Sequence, residues 1–291
     1  MPVSPRPRHL ENFPAKKIMK KSRRHALGQH FLVNSGVLKK IVQTIDPRSD
    51  DLIIEIGPGR GALTIPLAER AGRIIAIEKD KVLADRLESG KIPNLKVLEA
   101  DVLKIDLKNI LAVENEAGDR VKLVGNLPYS ISSPLLLRVL AQKSLIPECV
   151  FLLQKEVAER ICASPGSKKY APLSILFQIY FAARLHFVIS AGSFSPPPRV
   201  ESALVSLRRR PEPLFGVKNE ERFQKFLRVA FAHRRKTLLK NLQELNLQPA
   251  LLGDAYGTFR LSRLARPEEL TISRFVDLYN FLSKTESPTV A

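Results

Sequence analysis

The chain has no tryptophan, two methionines and two cysteines, Cys149 and Cys162. Two thiols cannot build a disulfide framework or a four-thiolate zinc site, and the five histidines stand apart along the chain, so no metal site is expected. Sparse cysteine fits a reducing compartment, and both thiols read as core residues. No apolar stretch approaches the ~18–20 residues of a membrane span. No segment has the charged start, apolar middle and small-residue cleavage site of a signal peptide. A secreted or membrane-spanning protein is therefore not expected, and a cytoplasmic one is. Internal repeats and long low-complexity tracts are absent. No long exposed apolar stripe is evident, so a monomer is expected.

Acid is also in short supply. Against 47 Lys+Arg stand 29 Asp+Glu, a net charge of +18 on 291 residues. That excess favours a polyanionic partner, chiefly nucleic acid or an anionic surface. It is unevenly spread: residues 1–26 carry +7, residues 27–205 carry +4 and residues 206–291 carry +7. A catalytic-looking middle thus lies between two basic ends. The first 21 residues read as a basic, flexible arm. Six basic residues between Lys16 and Arg24 fit either RNA contact or a solvated tail. The arm lacks the serine enrichment and amphipathic pattern of an organelle transit peptide.

From residue 35 strands and helices alternate. Val37, Leu38, Ile41, Val42 and Ile45 have helical spacing behind an Asn34 or Ser35 cap. Leu52–Ile56, Ile74–Glu78, Leu95–Leu98, Val121–Gly125 and Cys149–Leu153 read as buried strands. Ala62–Ala71, Val82–Leu87, residues 133–142 and Lys155–Ala163 read as helices, with Pro134 near the first turn of the third. This predicts a parallel, doubly wound α/β sheet. Leu173–Phe181 then reads as helix, and Leu185–Ser190 and Val200–Leu207 as strands around a turn-rich Phe194-Ser-Pro-Pro-Pro198. Beyond Pro211 and Pro213 the apolar spacing turns helical throughout. The expected division is a catalytic domain over 22–208 and a small all-α, RNA-binding domain over 209–291.

Glu55-Ile-Gly-Pro-Gly-Arg-Gly61 follows the first strand and opens a helix. Glycine permits the sharp turn and lets a ligand lie against the backbone. The spacing differs from the dinucleotide fingerprint, and a carboxylate beside the loop would repel pyrophosphate. It suits a ligand without phosphates that carries a positive amino group. Glu78 ends the second strand, where a carboxylate can accept ribose hydroxyls. Asp101 follows the third, where it can accept from an adenine amine. Such a set points to S-adenosylmethionine.

Asn126-Leu-Pro-Tyr129 leaves the C-terminal end of the fourth strand, the edge where open α/β sheets bind ligands. An exocyclic adenine amine is a poor nucleophile, because its lone pair is delocalised into the ring. An Asn oxygen and a backbone carbonyl that accept its two N–H groups favour a tetrahedral nitrogen aimed at a methyl sulfonium. Pro128 stiffens the loop and Tyr129 offers a face for an extruded base.

Together, Glu55–Gly61 and Asn126–Tyr129 resemble the ribosomal RNA adenine N6-dimethyltransferases. Gly28-Gln-His-Phe-Leu32 is similar to their N-terminal cofactor motif, with His30 where Asn is commoner. Phe194–Ser202 and Phe231–Thr237 resemble the branch acting on small-subunit rRNA. The resemblance implies a Rossmann-like class I methyltransferase domain with a small helical C-terminal domain. His30, Leu32, Gly57, Gly59, Glu78, Asp101 and Asn126 would bind S-adenosylmethionine. Asn126 and the Leu127 carbonyl would hold the target amine, with Pro128 shaping the loop and Tyr129 and Phe194 sandwiching the base. The substrate would be two adjacent adenines near the 3′ end of 16S rRNA in a pre-30S particle. The alternatives are a large-subunit rRNA methyltransferase of the antibiotic-resistance type and a non-catalytic nucleic-acid-binding factor. A DNA adenine methyltransferase is disfavoured by Leu127 and the small helical tail.

Overall fold

Strand propensity in this chain is concentrated in short Ile/Val/Leu runs, and these form the centre of the molecule. The computed structural model describes residues 29–114 and 120–283. The basic arm, Gly28, His9 and His25 lie outside the described residues. In chain order the elements are β1 (Phe31–Leu32), α1 (Ser35–Ile45), β2 (Asp51–Ile56), α2 (Thr64–Ala68), β3 (Arg73–Glu78), α3 (Lys81–Glu88), β4 (Leu95–Glu99) and α4 (Leu107–Glu114). There follow β5 (Arg120–Asn126), α5 (Tyr129–Ala141), β6 (Glu148–Gln154), α6 (Lys155–Ile161), α7 (Pro172–Tyr180), β7 (Phe181–Ile189), β8 (Phe194–Ser195) and β9 (Ser202–Arg209). Helices α8 (Glu220–Ala230), α9 (Leu238–Leu242), α10 (Pro249–Thr258) and α11 (Ile272–Leu282) complete the described chain.

Seven strands make one sheet in the order β4-β3-β2-β5-β6-β9-β7. The five strands from β4 to β6 are parallel, but β9 runs antiparallel to both β6 and β7. The sheet is therefore mixed rather than wholly parallel. The turn-rich segment after β7 brings β9 straight back beside it, which needs no crossover helix. Side chains alternate across β2: Leu52, Ile54 and Ile56 join the core on one face, and Ile53 joins the core on the other, with Ile41, Val124 and Leu204. The first of these cores runs on without a break into Phe223, Leu227, Phe275 and Leu278 of the C-terminal helices.

Several local expectations are revised. The helix after the glycine loop is confined to Thr64–Ala68, shorter than Ala62–Ala71: Gly61 sits at φ +81 ahead of it and the chain turns from Glu69. Helix α5 begins at Tyr129, so Pro134 lies inside it rather than in its first turn. Ser130, whose carbonyl thereby loses its intrahelical donor, is exposed. Asn34 caps α1 as expected, its side chain accepting from the Val37 N–H at 3.0 Å.

At the N-terminal ends of the central strands β2 and β5, away from the loops at their other ends, Lys122 is buried against Asp51, with Nζ 2.7 Å from Oδ2. The same ammonium donates to the carbonyls of Ile45 and Asp46, closing the end of α1.

Candidate active site

The glycine loop and the Asn126–Tyr129 loop leave neighbouring parallel strands, β2 and β5, at their C-terminal ends. They meet over one cavity of about 190 Å³, lined by His30, Leu32, Glu55, Gly57, Gly59, Glu78, Asn126, Leu127, Pro128 and Tyr129 among others. Gly57, Gly59 and Gly61 all have positive φ, which L side chains rarely adopt. A Cβ on Gly57 would stand 3.9 Å from both the Asn126 carbonyl and Pro128 Cδ. The bare backbone thus keeps the space between the two loops open.

The order of strands explains the rest. Phe31 and Leu32 pair with Ser195 and Phe194 as a two-stranded antiparallel clamp, β1 with β8. The clamp sets His30 against the Asn126–Tyr129 loop. Its carbonyl accepts from Asn126 Nδ2 at 2.8 Å, and its Nδ1 lies 2.8 Å from the Pro196 carbonyl. A carbonyl oxygen can only accept, so the amide nitrogen of Asn126 must face it and Oδ1 is turned elsewhere. The His30 and Tyr129 rings lie 5.7 Å apart. Tyr129 is fixed from the other side, its hydroxyl 2.8 Å from Ser202 Oγ on β9. Burial pushes its phenol upward, and the Ser202 bond partly offsets this.

Two carboxyls reach the cavity. Glu78 accepts from the Gly59 N–H at 3.0 Å with Oε2 and from the Asp80 N–H at 2.9 Å with Oε1. Burial pushes its carboxyl up, and these two donors pull it back. Glu55 is 2% exposed. Among the described residues its Oε2 has no hydrogen-bond partner. Burial raises its carboxyl to about 7, the nearby Thr64 hydroxyl opposing and the Glu78 charge reinforcing. Arg60 is the basic side chain of the lining besides His30, its guanidinium 4.5 Å above the Phe31 ring. Two carboxyls and no lysine suit a cationic, phosphate-free cofactor, so the residues present fit S-adenosylmethionine.

Not every expected residue meets there. Asp101 is absent from the lining; it is held by Lys79 at 2.9 Å and by the Leu103 N–H, which keep its carboxyl below the usual range. Phe194 is 4% exposed and packed with Leu32, Ile41 and Leu204, outside the cavity. Leu127 is buried, its N–H given to the Leu152 carbonyl at 3.2 Å. Ser202 and the His30 carbonyl were not singled out from sequence, since a hydrogen-bonding serine and a main-chain acceptor carry no pattern of their own.

The family profile described as ribosomal RNA adenine dimethylase matches residues 20–284. The small-subunit rRNA methyltransferase A of Geobacter metallireducens is 40% identical over 259 residues, which is 88% of this chain and 94% of that protein. The enzyme of the same name from Xylella fastidiosa strain Temecula1 is 40% identical over 273 residues, 93% of this chain and 97% of that one. Among solved structures, a dimethyladenosine transferase from Plasmodium falciparum superposes with a TM-score of 0.73 at 26% identity, over 88% of this chain and 98% of that one. The 23S rRNA methyltransferase ErmE shares the fold, with a TM-score of 0.66 at 24% identity over 87% of this chain and 99% of that one. The matched length, the glycine and Asn126 loops on one cavity, and the clamp that joins them agree: the chain belongs to the ribosomal RNA adenine dimethylase family.

Proposed function

We infer that this protein uses S-adenosylmethionine to dimethylate the N6 amino groups of adenines in small-subunit, 16S rRNA. The observation that carries the reading is the shared cavity, where a pocket with two carboxyls and no lysine adjoins the Asn126 amide. The bound cofactor supplies an electrophilic methyl group. Asn126 Oδ1 accepts one N–H of the target amine. The carbonyl of Pro128 is already taken by the Ile131 N–H and the Ser132 hydroxyl, which favours the Leu127 carbonyl for the second. With both N–H bonds held, the nitrogen lone pair is drawn out of the ring and aimed, and positioning supplies most of the rate. Gly57, Gly59 and Glu78 hold the cofactor's nucleoside part, with Asp101 recruited once it leaves Lys79. His30 and Leu32 close over its methionine end. Tyr129 stacks on the extruded base; Phe194 supports the clamp beneath and reaches the base only if β8 shifts.

The finer substrate is two adjacent adenines near the 3′ end, in an assembling pre-30S particle, met by a cytoplasmic monomer. The C-terminal domain, residues 209–291, whose described helices run from Glu220 to Leu282, grips phosphates, helped by Arg208–Arg210 and Arg234–Lys236. Residues 22–208 form the catalytic unit. Tritiated S-adenosylmethionine offered with unmethylated small subunits, large-subunit RNA and duplex DNA tests the reading. Label confined to small subunits and recovered as N6,N6-dimethyladenosine supports it. Label on large-subunit RNA moves the protein to that substrate, and cofactor binding without transfer makes it a binding factor.

A further inference from the structure

The basic run between α8 and α9, Phe231-Ala-His-Arg-Arg-Lys-Thr237, is folded into a turn with one buried side chain beneath it. The Lys236 N–H donates to the His233 carbonyl at 2.9 Å, which closes a four-residue turn with Arg234 and Arg235 at its corners. Both arginines are exposed. Arg235 has no partner among the described residues, the Arg234 guanidinium donates to the Lys168 carbonyl, and Lys236 Nζ lies 3.4 Å from Glu244. The Phe231 ring roots the turn on its inner side, against Tyr170 and Phe275. Asn241 of α9 is 0% exposed, and its Nδ2 donates to the Ala230 carbonyl at 2.7 Å and to the His233 carbonyl at 3.3 Å. Ala230 is the last residue of α8, and His233 carries the carbonyl that closes the turn. The amide nitrogen thus ties the end of a helix to the base of the arginine turn. A carbonyl only accepts, so the nitrogen end must face them. Asn241 Oδ1 has no hydrogen-bond partner among the described residues. A leucine of similar size would fill the space without burying an unpaired oxygen, so what the amide contributes is its donors, not its volume.

We propose that Asn241 is a positioning residue for RNA binding: by pinning the His233 carbonyl it holds Arg234 and Arg235 side by side for neighbouring phosphates of the RNA backbone. The inference rests on the reading in which the Arg234–Lys236 run grips phosphates. A guanidinium carries several N–H donors, so Arg234 can keep the Lys168 carbonyl and still meet a phosphate. Arginine–phosphate contacts depend on the aim of the planar fork. A loose turn would have to give up backbone and side-chain freedom each time RNA binds, whereas a pinned one is ordered beforehand. The bond to Lys168 also fastens the turn to the strand-bearing part of the chain that carries the cavity. Asn241 itself is buried and touches no RNA; it acts through the turn above it.

Two measurements on the full chain test this: steady-state methyl transfer to unmethylated small subunits, and binding to them across a series of salt concentrations. The variants are Asn241→Leu, Asn241→Ser, Arg235→Gln and the double variant Asn241→Leu with Arg235→Gln. Asn241→Leu should raise KM for small subunits roughly tenfold, with kcat and KM for S-adenosylmethionine within about twofold of wild type. The slope of log affinity against log salt should flatten by about one, the mark of one lost phosphate contact. Asn241→Ser keeps a single donor and should fall between; it carries the test if the leucine variant does not fold. Arg235→Gln should flatten the slope likewise, and the double variant should be little worse than Asn241→Leu. A variant that is merely less stable loses kcat through its inactive fraction and keeps its KM and salt slope. That pattern in the Asn241 variants, or losses that multiply in the double variant, overturns the proposal alone when Arg235→Gln still weakens binding. Unchanged binding and slope in Arg235→Gln overturn it together with the phosphate reading.

Discussion

The side-chain amide of Asn126 donates to the backbone carbonyl of His30 at 2.8 Å, across 96 residues of sequence. In the proposed mechanism, that one bond joins the segment over the cofactor to the residue that receives the target amine. It also decides which end of the Asn126 amide is offered, because nitrogen must face a carbonyl.

The same logic applies to Tyr129, whose hydroxyl is held by Ser202 at 2.8 Å. Ser202→Ala and Tyr129→Phe each remove that bond and little else. A net hydrogen bond of about 0.5–1.5 kcal/mol implies a roughly two- to tenfold loss of kcat. KM for S-adenosylmethionine should stay unchanged, and the double variant should be no worse than the poorer single one. Additive losses in steady-state kinetics would mean that the two residues act separately.

Gly125 precedes Asn126 on β5, beside the end of β2. A Cβ there would lie 2.5 Å from the Ile56 carbonyl oxygen. Gly125→Ala must push the two strands apart just below both loops. The expected cost is about 1–3 kcal/mol in urea unfolding, with weakened cofactor binding. An unaltered unfolding midpoint would show that the strands yield freely.

Much of this site was legible in the sequence. The glycine loop and Asn126–Tyr129 stand at the ends of clear apolar strands, and a parallel neighbour relation follows from strand–helix alternation. Three things were not legible. The β1–β8 clamp consists of two-residue strands, too short for any periodicity, paired across more than 160 residues. The reversal of β9 depends on how the Phe194–Val200 segment folds back, which propensity does not report. The resting states of Asp101 and Phe194 depend on partners, Lys79 and the Leu32 cluster, that only tertiary packing supplies.

The protein's stability is expected to depend on pH through Glu55. Its carboxyl is raised from 4.5 to about 7 in the folded chain, so the folded state holds the proton more tightly than the unfolded state. Stability from this group is fully present below about pH 4.5 and is lost as pH rises to about 7. The loss is about 3 kcal/mol. Glu55→Gln should therefore be more stable than wild type at pH 8 and lose most of that advantage at pH 5. Urea denaturation at the two pH values measures it; an equal difference at both would contradict the assignment.

The Lys122–Asp51 pair tests the far end of the sheet. Lys122→Met strands a buried carboxylate and should cost about 3–5 kcal/mol. Replacing both, as Lys122→Met with Asp51→Leu, should recover most of that in thermal unfolding. A double variant as unstable as the single would mean that the bonds from Lys122 to Ile45 and Asp46 and from the Arg48 N–H to Asp51, rather than the ion pair, hold this end of the sheet.

The central claim is that Asn126 receives the target amine, and Asn126→Ala tests it most directly. S-adenosylmethionine binding and methyl transfer to unmethylated small subunits would be measured on the same preparation. The account predicts cofactor affinity within a few-fold of wild type and no detectable N6,N6-dimethyladenosine. Transfer at the wild-type rate by Asn126→Ala would contradict it.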